Sequence, residues 1–171
     1  MKTSILKGKE ILAVDDEPDV LEILDEELAE YEVVLDTANT YEEASRKLRS
    51  YTYDIAIFDI MGVRGFDLLE LAVSKEIQVV MLTAHALNPE ALKRSVQLGA
   101  RAYLPKDQLV DIADFLEDVI EFSYHAAWRR SLEKLRGYFG KQFGAAWRKS
   151  EKEFLDRIEK GEDFDQATII E

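Results

Sequence analysis

The sequence predicts an α/β protein, a parallel five-stranded sheet wound on both faces by helices, with a helical extension after it. Three observations carry that expectation. Five short apolar runs alternate with longer stretches of helical spacing, the runs are apolar throughout rather than at every second residue, and the charge balance changes near residue 125. Uniformly apolar strands are buried on both faces, which crossover helices packed on a parallel sheet provide.

The runs are residues 11–14 (IleLeuAlaVal), 33–35 (ValValLeu), 55–58 (IleAlaIlePhe), 79–82 (ValValMetLeu) and 102–104 (AlaTyrLeu), each too short for a helix. Between them, apolar residues recur at spacings of three and four: Val20, Leu21, Leu24 and Leu28; Ala44 and Leu48; Leu68, Leu69 and Ala72; Ala91, Leu92 and Val96. Such spacing places them on one buried helix face. Pro18 suits a first helical turn, residues 39–43 (AsnThrTyrGluGlu) come close to a capping box, and residues 88–90 (AsnProGlu) repeat the start signal.

Composition narrows the function classes. The 171 residues are 47% hydrophobic and 33% charged, without cysteine and with two histidines. Disulfides, thiolate zinc sites and cysteine nucleophiles are thereby excluded, and little is left for a histidine-based metal site. No apolar run reaches the length of a membrane span, and MKTSILKGKE lacks the apolar segment of a secretory signal, so a cytoplasmic protein is expected. The net charge of −13 is uneven: residues 1–125 hold 12 Lys and Arg against 26 Asp and Glu, whereas residues 126–171 hold 10 against 9. The expected division is therefore a domain of residues 1–125 and an extension of residues 126–171.

In a parallel open sheet the carboxyl ends of the strands share one edge, and ligands bind there. The first strand ends in Asp15 and Asp16, the third in Asp59, the fourth in Thr83, and the fifth runs through Pro105 to Lys106. Two carboxylates about 4 Å apart repel by roughly 4 kcal/mol at an effective dielectric near 20, and a third converging on them adds to that. A divalent cation offsets the repulsion. Magnesium suits the set because it takes one or two carboxylates, keeps waters and favours phosphate oxygens. Lys106 opposite the cluster can hold an incoming phosphoryl group as a point charge.

These residues, in this order on these strands, resemble a response-regulator receiver domain over residues 9–125. The resemblance implies a (βα)5 flavodoxin-like sheet of order 2-1-3-4-5, with Asp15 and Asp16 as the acidic pair and Asp59 as phosphoacceptor. It further implies Thr83, followed by Ala84, as the switch hydroxyl, Lys106 as the conserved-type lysine and Tyr103 as the switch aromatic. Magnesium would be held by Asp15, Asp16, Asp59 and the backbone carbonyl of Met61. The implied chemistry is phosphoryl transfer from a phosphohistidine of a sensor histidine kinase or phosphotransfer protein, with turnover limited to the chain's own Asp59. Thr83 would move toward the phosphoryl oxygens, Tyr103 would turn into the vacated space, and the surface of the fourth helix, fifth strand and fifth helix would change.

The chain departs from the family pattern at two places. Asp59-Ile60-Met61-Gly62-Val63-Arg64-Gly65 lacks the usual proline and is two residues shorter before the glycine, and Asp107 follows Lys106 where proline is common. A cis bond after Lys106 would then be a non-proline one, costing about 3 kcal/mol. Met61 and His85 occupy the positions that face attacking water in relatives and are expected to tune the lifetime of the phosphorylated state. Gly62 and Gly65 are too sparse for a phosphate-cradling loop. Aspartate-nucleophile phosphohydrolases share a similar fold but need a second acid where Met61 stands.

From Leu109, the positions Ile112, Phe115, Leu116, Val119 and Ile120 define a last domain helix, and the spacing continues through Trp128, Leu132, Leu135 and Phe139. One helix running past the domain is expected, with a break at Gly137, Gly140 and Gly144, then a second amphipathic stretch through Trp147, Phe154, Leu155 and Ile158. Trp128, Phe139, Phe143 and Trp147 need burial, in a hairpin or against a second copy of the chain. Arg129, Arg130, Lys134, Arg136, Lys141, Arg148 and Lys149 form a basic block. Read as a partner contact or a minimal DNA reader, that block defines the competing functions, although the negative domain beside it repels DNA. An unphosphorylated interaction module is the third reading.

Overall fold

The computed structural model describes residues 4–84 and 89–135. Five parallel strands, β1 (Glu10–Val14), β2 (Val34–Ala38), β3 (Ile55–Asp59), β4 (Gln78–Thr83) and β5 (Ala102–Pro105), form one sheet in the order β2-β1-β3-β4-β5. Helices α1 (Pro18–Leu28), α2 (Tyr41–Ser50), α3 (Gly65–Ser74), α4 (Pro89–Gln97) and α5 (Ile112–Glu121) alternate with the strands. Every residue of the central strand β3 is buried, as its unbroken apolar run requires. β2 lies at the sheet edge and keeps only Ala38 buried. The expected apolar run there was placed one residue early; the strand extends through Asp36 and Thr37, whose side chains an edge tolerates.

The start signals work as their chemistry demands. Pro18 opens α1. Thr40 caps α2 by accepting from the Glu43 N–H at 3.1 Å, while Glu43 Oε1 reaches back to the Asn39 N–H at 3.1 Å. Among the described residues every peptide bond is trans, that between Lys106 and Asp107 included. The chain passes from Lys106 to Asp111 as a 3-10 helix before α5.

The single long helix expected at the end of the domain is not formed. α5 stops at Phe122, whose backbone is extended, and a separate helix, α6, occupies residues 124–135. Ser123 starts it: its carbonyl accepts from the Ala127 N–H at 2.8 Å, and its hydroxyl accepts from the Ala126 N–H at 3.4 Å. A serine at a helix start competes for the free amides that a continuous helix would have used. Turned back by this break, α6 lays Trp128, Leu132 and Leu135 into the same core as the sheet. The divide near residue 125 is therefore one of composition and not, as far as residue 135, of packing. Phe139, Phe143, Trp147 and the glycine cluster lie outside the described residues.

Candidate functional site

The carboxyl edge of the sheet assembles the acidic residues around one ammonium. Asp59 closes β3 and Asp15 follows β1, both nearly inaccessible to water, Asp59 at 3% exposure. Lys106, one residue past β5, reaches back so that its Nζ lies 2.7 Å from Asp15 Oδ2, 3.2 Å from Asp59 Oδ1 and 3.3 Å from Glu17 Oε1. The register explains the convergence. Asp59 pairs with Leu82 and Leu82 with Leu104, so Thr83 and Pro105, the next pair along, bring the half-buried Thr83 beside the strand that delivers Lys106.

Burial and crowding set the electrostatics. Desolvation, then the Asp15 charge, push the Asp59 carboxyl up to about 6, against the opposing pull of Lys106. Burial raises Asp15 as well, in spite of its hydrogen bonds from Lys106 and from the Glu17 N–H at 2.9 Å. Burial pulls the Lys106 ammonium down, but the hydrogen bond to Asp15 and the charges of Asp59 and Asp15 outweigh it, so it holds its proton more firmly than a free lysine.

Glycine chemistry closes the loop after Asp59. Gly62 has φ of +80°, and a Cβ there would lie 2.6 Å from Asp16 Oδ2. A Cβ on Gly65 would run into the backbone carbonyl of Asp59. Gly65 is thus required by the backbone it packs on, and Gly62 by its left-handed φ rather than by the movable Asp16 carboxylate, a role unlike the phosphate cradle that their sparse spacing argues against. Glu17, which the sequence reading left out, is the third member of an acidic trio whose carboxylate oxygens, one each from Asp15, Asp16 and Glu17, lie within 4.8 Å of one another. Its place directly after the acid pair was the available signal.

This donor set fits a magnesium ion. All its ligands are hard oxygens. Asp15 Oδ2 and Asp59 Oδ1 are shut off from water and, apart from their approach to Lys106, accept no hydrogen bond among the described residues. Asp59 shares the Lys106 ammonium with Asp15 and Glu17 of that trio.

The other expected residues fall at different distances from this centre. Met61 turns its side chain to solvent, 73% exposed, in the loop beside Asp59. Tyr103 is on β5, paired with Met81, and its ring is wholly buried in this structure. His85 lies outside the described residues, as do Arg136, Lys141, Arg148 and Lys149. Arg129 is exposed on α6, whereas Arg130 and Lys134 both bind Asp118 of α5, at 3.0 and 2.7 Å.

Comparison with known proteins decides what this edge belongs to: residues 11–117 match the response regulator receiver domain. The chain belongs to that family. It is 35% identical over 104 residues to the two-component response regulator ARR12 of Arabidopsis thaliana, a match covering 58% of this chain and 17% of that protein. ARR18 of the same plant is 32% identical over 103 residues, or 58% of this chain and 16% of that protein. The chain thus spans less than a fifth of the curated relatives it matches. Among solved structures, a CheY-like receiver domain protein from Methanospirillum hungatei aligns with TM-score 0.54 and 25% identity, over 80% of this chain and 97% of that one. The signal receiver domain of a histidine kinase from Syntrophus aciditrophicus aligns with TM-score 0.58 and 26% identity, over 66% and 90%. The chain is therefore a receiver domain of two-component signalling. Its described residues contain no helix long and apolar enough to cross a membrane.

Proposed function

We propose that this receiver takes a phosphoryl group on Asp59 from a phosphohistidine of a sensor kinase or phosphotransfer protein in the cytoplasm, and that the product changes its protein contacts. The observation that carries the reading is the placement of the Lys106 ammonium at 2.7 Å from Asp15 and 3.2 Å from Asp59. In the step, a lone pair on an Asp59 Oδ forms the new O–P bond while the P–N bond to the donor imidazole breaks. The bond's electrons leave on the imidazole nitrogen. An ionised carboxylate attacks without a general base.

Each residue then has a defined task. Lys106 neutralises phosphoryl oxygens as charge spreads over them, and Thr83 offers its hydroxyl from the adjoining strand end. Asp15 and Asp16, with Glu17, Asp59 and the Met61 carbonyl as the further oxygen donors, would hold Mg2+. Bound there, the dication supplies charge neutralisation between the carboxylates and the phosphoryl oxygens. Met61 and His85 are proposed to govern access of water to the acyl phosphate.

Incubation of the protein with Mg2+ and acetyl phosphate tests this. The expected result is the mass of one phosphoryl group on the chain, mapped to Asp59 and absent when the metal is chelated before the donor is added. Uptake that persists undiminished in Asp59→Ala removes the reading.

A further inference from the structure

Outside the acidic edge, side chains of α6 bond to α4, to the turn before β5 and to α5, two of which lead to the site by separate routes. Tyr124 donates its hydroxyl to the Val96 carbonyl at 2.6 Å, in the last turn of α4. One turn further on, the fully buried Trp128 donates its indole N–H to the Ala100 carbonyl at 2.7 Å, in the turn between α4 and β5. The Val96 carbonyl also accepts from the Gly99 N–H at 3.1 Å, so Tyr124 adds a second donor where the chain leaves α4. Another turn along, Arg130 and Lys134 close on Asp118 of α5. Arg101, just before β5, places its guanidinium 5.4 Å from the Tyr124 ring centre. Leu132 and Leu135 sink into the core beneath.

α6 therefore straddles two elements. One begins six residues after Thr83, and the other is joined to Lys106 by the 3-10 helix of residues 106–111. Thr83 and Lys106 are the hydroxyl and ammonium that a phosphoryl group on Asp59 would draw to itself through charge-assisted hydrogen bonds. Drawing them in would pull on α4 through the chain that follows Thr83 and on α5 through the 3-10 helix that follows Lys106, and any difference between the two movements would fall on α6. A helix bonded to both elements cannot follow both, because packed elements shift as units between discrete arrangements.

We infer that α6 is a strap across α4, β5 and α5 which phosphorylation of Asp59 loosens, so that the first responder to the switch is this chain's own helix. The inference rests on the reading of Asp59 as the phosphoacceptor. It makes residues 124–135 the output element and Tyr124, Trp128 and Asp118 its sensing contacts, none of which touches the site.

Hydrogen exchange read by mass spectrometry on the full chain tests it, with Mg2+ alone and with Mg2+ plus acetyl phosphate, the phosphoryl content of each sample being measured from the intact mass. The expected result is about tenfold faster exchange of the α6 amides in the phosphorylated fraction. Amides of α2, on the far side of the sheet order, should stay unchanged, and Asp59→Asn should show no response. Phosphoryl uptake with unchanged or slower exchange over residues 124–135 overturns the strap and leaves the phosphoacceptor reading intact. Acceleration that is as large in α2 as in α6 overturns it too, since that is general loosening. Absence of phosphoryl uptake removes both. As a second measurement, Trp128→Phe keeps one aromatic ring in place and deletes the pyrrole ring with its N–H donor, and should raise α6 exchange in the unphosphorylated protein toward the phosphorylated level; no rise counts against the strap.

Discussion

Asp59 and Asp118 are both carboxylates withdrawn from water, and the fold treats them in opposite ways. At the sheet edge, Asp59 shares the single Lys106 ammonium with Asp15 and Glu17, and Asp16 stands close by. On α5, Asp118 has two cations to itself, Arg130 and Lys134, one turn apart on α6. The first cluster is short of positive charge and the second has an excess. A site left short is one that gains from binding a dication and a phosphoryl-bearing partner, whereas a site already satisfied serves as a fastening. The lesson is that the environment of a buried acid, and not its burial, separates a candidate for chemistry from a clasp.

The comparison can be broken by substitution, and the largest effect is expected on the fastened side. Trp128→Ala should destabilise the protein by about 3–5 kcal/mol in urea unfolding, because it empties a fully buried ring position and strands the Ala100 carbonyl.

Asp59→Asn should act in the other direction. The Asp59 carboxyl is raised in the folded protein from 3.8 to about 6, so the folded state binds its proton more tightly than the unfolded chain does. The stability due to that proton is complete below about pH 3.8 and is lost as pH rises through about 6. Removing the charge should therefore stabilise the metal-free protein by on the order of 2 kcal/mol at pH 7, and the gain should disappear below pH 4. Thermal unfolding of both proteins across that range, with chelator present, measures it. A gain that is independent of pH would show that crowding of charge at the edge is not its source.

Smaller changes sharpen the contrast. Asp118→Asn keeps the shape but removes the charge between Arg130 and Lys134 and replaces one of its two accepting oxygens by a donor, while both cations keep contact with water. A loss of about 1 kcal/mol is expected, reduced further by salt, in urea titrations at two ionic strengths. Arg129→Ala, exposed on α6 just before Arg130, should change stability by less than about 0.5 kcal/mol.

Much of the edge was legible because its logic is short-range. Apolar runs ending in Asp15, Asp59, Thr83 and Lys106 put those residues on one edge once the sheet is parallel, and the observed register does so. The far end of the domain was legible only in part. Helical spacing from Ile112 to Leu135 is the same whether one helix or two carry it, and Ser123 was the sole local mark of the break. The basic block looked like a surface for another molecule, yet Arg130 and Lys134 are engaged within the chain by Asp118, whose own position on α5 gave no hint of partners sixteen or fewer residues on.

Residue pattern alone determined the fold class, the strand order through its family likeness, and the residues that meet at the carboxyl edge. The fold class and the edge residues follow from periodicities and end positions read along the chain, the strand order from the resemblance alone. Three-dimensional packing decided that Lys106 bridges Asp15 to Asp59, that Glu17 completes the acidic trio, that Gly65 has no room for a side chain, and that Trp128 closes over Ala100. Those are distances between segments tens of residues apart, set by how helices settle on the sheet, and no local propensity carries them.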